Sequence, residues 1–503
     1  MTEAERTEKG GEERVGIGAL AGKSFDLLIV GGGIVGSGVA RDAALRGLRT
    51  LLVEQSDFAS GTSSRSSRLL HGGLRYLAQG RIKLVHEASV EKMRLSKIAP
   101  HLCHPLAFLF PVWKGSGWSR WQLAIGVKIY DWLCGGRNLG KSRSYGADEL
   151  LKHAPGLRKE GLKGGTSHFD ALTQDARLVI DTLRSARESG ALLRNYTSFV
   201  SAELTTQGGW KCLISDRGTG ETVEVRTRAV VNAAGAWSAE IPHSTVKLRL
   251  TKGIHVVIDR ARLPVSEAVV LAEGDRILFV IPWGDRVILG TTDTEYLGDP
   301  AAVRTELADI EYVLRVVNGA FPDARISLED VISSWSGVRP LIAPRHQKKD
   351  APSDVSRNHE IRMGDPGWFD VAGGKLTTYR LMAEQTVDQV GRFLGLSLPA
   401  SKTAEIPLNA GAQSGVLPPP VEQSVVAECC QHEWTYHLDD LLLRRTSWHY
   451  YHPNQEEIAR QAAQWMASEL GWDEERTEQE LLRYREAAEH PQQLATSAAE
   501  ARR

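Results

Sequence analysis

The string His71-Gly72-Gly73-Leu74-Arg75-Tyr76 sets an imidazole and a guanidinium four residues apart behind paired glycines. If the segment is helical, both side chains project from one face. There either can take or stabilise a proton at a bound ligand. The spacing leaves open which of the two handles the proton, and Tyr76 is either a core aromatic or a ligand contact. A second string, Gly31-Gly32-Gly33-Ile34-Val35-Gly36, has G-x-G-x-x-G spacing. Gly31 permits a tight turn, Gly33 lets backbone approach a pyrophosphate, and Gly36 allows close helix packing. A helix starting at such a turn aims its N-terminus at the negative charge.

The elements around this turn give it weight. Asp26 to Val30 is a short apolar run, Val35, Val39 and Ala43 with Ala40 and Ala44 form a helical stripe, and Thr50 to Val53 is a second apolar run. That is a β-α-β unit. Glu54 ends its second strand, where an acid hydrogen-bonds a ribose hydroxyl. Two later stretches, Val231 to Trp237 through Gly235 and Gly373-Gly374-Lys375, again close strands with small residues, as a second backbone approach to a dinucleotide requires. No second G-x-G-x-x-G with a following acid is present, so a bound flavin must pass its electrons to something other than bound nicotinamide.

At 503 residues with 42% hydrophobic content the chain exceeds one core, and two or three domains are expected. A formal net charge of -1 provides no basic excess for nucleic acid. Five cysteines without C-x-x-C spacing argue against a disulfide framework or a zinc site, so no metal is expected and a reducing compartment fits best. Residues 1–24 carry five glutamates and no apolar core region, and are expected to be a disordered tail. No run approaches the roughly 20 apolar residues of a membrane span, so any membrane contact is peripheral. Apolar runs near residues 229, 277, 287 and 369 imply a nucleotide fold assembled from separated segments. The expected division is a dinucleotide-binding domain over 25–100, 165–245 and 345–400, and a second domain inserted over 101–164 and 246–344. A Gly/Ala/Pro-rich linker over 401–420, a helical domain over 421–490 and a tail over 491–503 complete it.

Further blocks are similar to those of FAD-dependent, quinone-linked sn-glycerol-3-phosphate dehydrogenases: Thr62-Ser63-Ser64-Arg65-Ser66-Ser67, His71 to Tyr76, Asp175 to Val179, Gly290-Thr291-Thr292-Asp293, Ser336 to Pro340 and Gly373 to Arg380. They occur in that family's order over roughly residues 25 to 400. Val35 and Gln174 depart from its pattern, and the region after the linker is shorter than its usual cap. The resemblance implies a glutathione-reductase-like α/β FAD domain, an α+β substrate domain on an antiparallel sheet and a small helical C-terminal domain. It implies oxidation of glycerol 3-phosphate to dihydroxyacetone phosphate, with electrons leaving to quinone.

By the same resemblance His71, Arg75 and Lys375 are catalytic, and Tyr76, Arg339 and Arg357 bind substrate, the arginines as forks for a dianionic phosphate. FAD is expected at Gly31, Gly33, Gly36, Glu54, Thr62, Ser63, Ser64, Gly235, Trp237, Gly374, Leu376 and Thr377. Asp175 and Asp293 match family positions, but hydride transfer needs neither, and both read as structural. Rival readings are an oxygen-using glycerol-phosphate oxidase and a flavin dehydrogenase of 2-hydroxyacids or amines. Trp121, Ile125, Ile129 and Trp132 fall on one helical face near Lys114, Arg120 and Lys128. That face suits an interfacial helix or an amphipathic core helix, the second being commoner. The implied location is the cytoplasm, at the inner face of the cytoplasmic membrane, with a homodimer possible.

Overall fold

The computed structural model describes residues 16–115, 119–136, 138–274, 276–343 and 359–488, except the side chains of Arg75 and Ala78. The apolar run at the start of the β-α-β unit forms the strand Ser24–Val30 in the middle of an eight-stranded sheet. It pairs in parallel with Thr50–Val53 on one side and Thr222–Asn232 on the other. Trp368–Gly373 and Leu192–Arg194 extend the parallel set outward. Strands buried on both faces need helices over them. Here Ile34–Leu45, Asp175–Glu188 and Tyr379–Phe393 supply one such cover, sharing a core of Leu27, Ile29, Val39, Val179, Met382 and Val387. The separated segments thus converge on one nucleotide fold.

A second sheet of ten strands is mainly antiparallel, with one parallel pairing between His104–Trp113 and Ala268–Glu273. The strand Leu162–Leu172 belongs to this sheet, so the division expected at residue 165 falls within it. The strand contains the pair Gly164-Gly165. In the fold these glycines admit close neighbours, because a Cβ would lie 2.2 Å from Tyr145 O at Gly164 and 2.5 Å from Phe110 O at Gly165. Leu69–Leu70 also joins this sheet and hands the chain directly to His71.

The expected N-terminal tail is shorter than its apparent length. Ile17–Leu20 forms a turn whose Ile17 and Leu20 are buried with Phe25, Trp210 and Val225, since two apolar side chains outweigh the surrounding polar composition. Residues 1–15 and 489–503 lie outside the described residues. The linker is tied down: Arg41 donates to Ile406 O at 2.6 Å, Trp283 to Val416 O at 2.9 Å and Trp448 to Pro419 O at 2.8 Å. Beyond it, Gln423–His432, Gln455–Leu470 and Glu474–Ala487 form the expected helical unit. Buried ion pairs lock that unit to the nucleotide fold, with Asp57 held by Arg444 and Arg445, and Glu433 by Arg177.

The helix Arg120–Leu133 starts at a capping box formed by Ser119 and Gln122. It buries Leu123, Val127, Tyr130 and Leu133. Its other apolar stripe faces outward, with Trp121 64% exposed, Ile125 52%, Ile129 41% and Trp132 73%. The core-helix reading of that stripe is therefore corrected: the helix has two apolar stripes, and among the described residues only the one carrying Leu123, Val127 and Tyr130 is covered. Trp118 lies outside the described residues. No described helix is long and apolar enough to cross a membrane.

Candidate active site

The dinucleotide turn closes as its glycines require. Gly31 sits at φ +110°, and a Cβ there would lie 2.6 Å from Ala233 O. A Cβ on Gly36 would lie 1.9 Å from Gly31 O, so helix and turn touch backbone to backbone. At Gly33 the nearest atom to a Cβ is Ser63 Oγ at 3.1 Å, which leaves room in front of the helix for a ligand. No side chain caps Ile34–Leu45, although Ile34 N–H reaches Ser63 Oγ at 3.0 Å. Glu54 accepts from the N–H groups of Gly32 at 2.7 Å and Ser56 at 2.9 Å. Burial raises its carboxyl above the ordinary range and these two donors oppose the rise.

Thr62, Ser63 and Ser64 form a short turn whose Thr62 hydroxyl donates to Val338 O at 2.7 Å, tying the turn to the second sheet. Gly235 has φ +57°, and Trp237 lies against Gly61. Gly374 is at φ +83°, where a Cβ would meet Met382 Sδ at 2.4 Å, and Leu376 and Thr377 follow in a tight turn. An uncapped helix N-terminus, a glycine cradle that a Cβ would fill and a carboxylate at the next strand end fit the pyrophosphate and ribose of FAD.

Against the second sheet lies a cavity lined by His71, Gly73, Tyr76, Thr291, Asp293 and Arg339, with Phe108, Phe110 and Phe279 on its apolar wall. His71 and Arg75 do not share a helix face: the helix begins only at Arg75, and Gly73 at φ +83° turns the chain between them. A Cβ on Gly73 would lie 2.6 Å from the Tyr76 ring and 2.8 Å from Lys375 Nζ, so the turn requires glycine. The segment is clamped from several sides. His71 N–H donates to Thr377 Oγ1 at 3.0 Å, Gly72 N–H to Tyr130 OH at 2.7 Å, and Lys375 Nζ to Gly72 O at 3.3 Å. The Lys375 ammonium also sits 4.2 Å from the centre of the Tyr76 ring. Tyr76 is thus both buried and part of the cavity wall.

Arg339 donates through Nη2 to Thr291 Oγ1 at 2.8 Å, and through Nη1 to Thr292 O and Asp293 Oδ1 at 3.3 Å each. Asp293, expected to be purely structural, lines the cavity and orients that guanidinium. Asp175 does act structurally, accepting from Ser66 N–H at 3.0 Å and Ser66 Oγ at 2.6 Å. Arg357 lies outside the described residues, and nothing is said of the Arg75 side chain. Sequence reasoning missed Thr291 and the buried group of His168, Asp170, Lys92 and Tyr130. One signal was available: Lys92 follows Ala88 and precedes Leu95 on a buried stripe, where a cation requires a buried partner. No group of three or more metal-ligating side chains occurs among the described residues.

A pyrophosphate turn with its acid, set against a cavity carrying an imidazole and anchored cations, defines an FAD-dependent oxidoreductase. Residues 26–380 match the FAD dependent oxidoreductase family, and residues 409–477 match the C-terminal domain of alpha-glycerophosphate oxidase. The sequence is 38% identical over 408 residues to the aerobic glycerol-3-phosphate dehydrogenase of Staphylococcus haemolyticus, covering 79% of this chain and 73% of that protein. It is 39% identical over 410 residues to that of Staphylococcus aureus, with the same coverage. The fold is similar to the glycerol-3-phosphate dehydrogenase of Bacillus halodurans complexed with FAD, with 30% identity and a TM-score of 0.74 over 94% of this chain and 97% of that one. The L-alpha-glycerophosphate oxidase of Mycoplasma pneumoniae shares the fold at a TM-score of 0.60 and 17% identity, over 77% of this chain and all of that one. The chain belongs to the family of FAD-dependent glycerol-3-phosphate dehydrogenases, and its cofactor is FAD.

Proposed function

We propose that this enzyme oxidises sn-glycerol 3-phosphate to dihydroxyacetone phosphate and passes the electrons to a membrane quinone. The observation that carries the substrate half is one cavity holding both the His71 imidazole and the Arg339 guanidinium. FAD, when bound, supplies at N5 the acceptor for the hydride that leaves C2. His71 takes the hydroxyl proton, because a neutral imidazole is a base at working pH and a guanidinium is not. Arg339, held by Thr291 and Asp293, binds the phosphate as a fork. Lys375, fixed at Gly72 O, places positive charge where negative charge develops on the reacting oxygen.

Anaerobic mixing with glycerol 3-phosphate should bleach the flavin band, and absence of bleaching overturns the reading. Arg339→Ala should lower kcat/KM about tenfold to a hundredfold, or about 1.5–3 kcal/mol of charge-assisted bonding. Slow turnover of unphosphorylated glycerol should barely change in that variant. An equal loss on both substrates would make Arg339 a scaffold residue instead.

The exposed stripe of Trp121, Ile125, Ile129 and Trp132 supports the quinone half. Exposed Arg120 and Lys128 lie on the same helix, so indoles can settle at headgroup depth while cations meet anionic lipid. The protein should sediment with anionic liposomes at low salt and detach partly at high salt. Replacing Trp121 and Trp132 with serine should weaken sedimentation and quinone reduction while sparing activity with a soluble dye. Parental sedimentation would move the docking surface elsewhere, and faster turnover with oxygen than with quinone would favour the oxidase reading.

A further inference from the structure

Behind the His71–Gly73 segment lies a polar group that hydride transfer and phosphate binding leave unused. Asp170 is buried at the end of the strand Leu162–Leu172, and Lys92 Nζ donates to its Oδ1 at 2.7 Å. Lys92 is itself fully enclosed and also donates to Asn138 Oδ1 at 2.8 Å and Phe169 O at 2.9 Å. Tyr130, on the inner face of Arg120–Leu133, donates its hydroxyl to the same Asp170 oxygen at 2.5 Å. That hydroxyl in turn accepts the Gly72 N–H at 2.7 Å. The other carboxylate oxygen stands 3.3 Å from His168 Nε2. Asp170 and His168 both line the cavity beside His71.

The chemistry of this arrangement is specific. A buried carboxylate with one ammonium partner keeps its charge, and a hydroxyl that donates to it is oriented to accept from the other side. Burial alone would raise the Asp170 carboxyl, but Lys92, His168 and His71 together hold it well below the usual carboxylate range. Burial, with Asp170 adding to it, keeps the Tyr130 phenol protonated far above its ordinary value. Buried Cys103 and Cys134, whose thiols burial also raises, are further titratable neighbours of Asp170. His71 is faced by Asp170 from this side, by Lys375 from the turn after Gly374, and by Asp293, Arg339 and Arg276 across the cavity.

We propose that Asp170 is a positioning residue for the reaction: through Tyr130 it fixes the Gly72 amide and so the place of the His71 imidazole, and its carboxylate favours the imidazolium that proton transfer creates. The proposal rests on the reading of His71 as the base. It separates two effects that single substitutions can isolate. Tyr130→Phe removes the clamp on Gly72 and leaves the carboxylate charge. Asp170→Asn keeps the shape and removes the charge.

The test is the pH dependence of flavin reduction in anaerobic single turnovers of the holoenzyme with glycerol 3-phosphate. Because a base works when deprotonated, the rate rises with pH along a limb set by His71. Loss of a nearby negative charge makes the imidazole easier to deprotonate, so Asp170→Asn should move that limb to lower pH by about one unit. Tyr130→Phe should leave the limb in place and lower the plateau by about tenfold, with bound FAD and the KM for glycerol 3-phosphate near parental values. An unmoved limb in Asp170→Asn overturns the proposal, as does a parental plateau in Tyr130→Phe. If Asp170→Asn does not accumulate as folded holoenzyme, Tyr130→Phe alone decides. His71→Asn, run alongside, separates the two readings. Parental reduction in His71→Asn removes His71 from proton transfer, whereas slow reduction there beside an unmoved Asp170→Asn limb rejects the positioning role only.

Discussion

Replacing His71 with asparagine is expected to slow reduction of the bound flavin by glycerol 3-phosphate about 10²–10⁴-fold, the usual contribution of a positioned general base. The argument depends on where His71 is held. Its N–H and carbonyl both meet the Thr377 hydroxyl, at 3.0 and 3.2 Å, so the backbone keeps its place when the side chain changes. Asparagine retains polarity and approximate reach but has no group that takes a proton near neutral pH. FAD content should therefore stay parental while stopped-flow bleaching slows. Arg75→Gln provides the comparison. A parental rate in His71→Asn would place the base elsewhere.

Gly33→Val is expected to yield a folded, colourless protein. Gly33 lies at φ -81°, a backbone conformation open to any residue, and the nearest obstacle to a Cβ is the Ser63 hydroxyl at 3.1 Å. The added methyls therefore crowd the space before the helix N-terminus, which the pyrophosphate needs, and press on the Ser63 hydroxyl rather than on backbone. Gly36→Val differs, because its Cβ would collide with Gly31 O at 1.9 Å and disrupt the turn itself. Flavin absorbance together with thermal unfolding distinguishes the two. Gly33→Val that purifies with full flavin would falsify this account of the cradle.

Local periodicity made some features legible at once. The β-α-β unit could be read because a glycine turn between an apolar strand and a helical stripe serves one local geometry, and Gly31, Gly36 and Glu54 occupy the places that geometry assigns. The helical C-terminal unit was legible for the same reason. The boundary expected at residue 165 was not, because the strand Leu162–Leu172 is placed by its pairing with His104–Trp113, a strand distant in sequence. The Ile17–Leu20 turn was hidden among glutamates, its burial depending on Trp210 and Val225.

By itself, then, the sequence determined the cofactor turn and the family blocks, and it named His71, Tyr76 and Arg339 among the groups facing the cavity, since each depends on residue type within a short window. Tertiary structure alone decided how those groups are held. Four-residue spacing suggested a shared helix face for His71 and Arg75, but a left-handed Gly73 places His71 before the helix. Asp293 became Arg339's partner, and Lys92, Tyr130 and Asp170 became one buried network, through pairings 46, 38 and 78 residues apart. The outward stripe of Arg120–Leu133 was settled in the same way. Periodicity shows that a helix has apolar faces, but only the neighbours brought by the whole fold decide which face is covered.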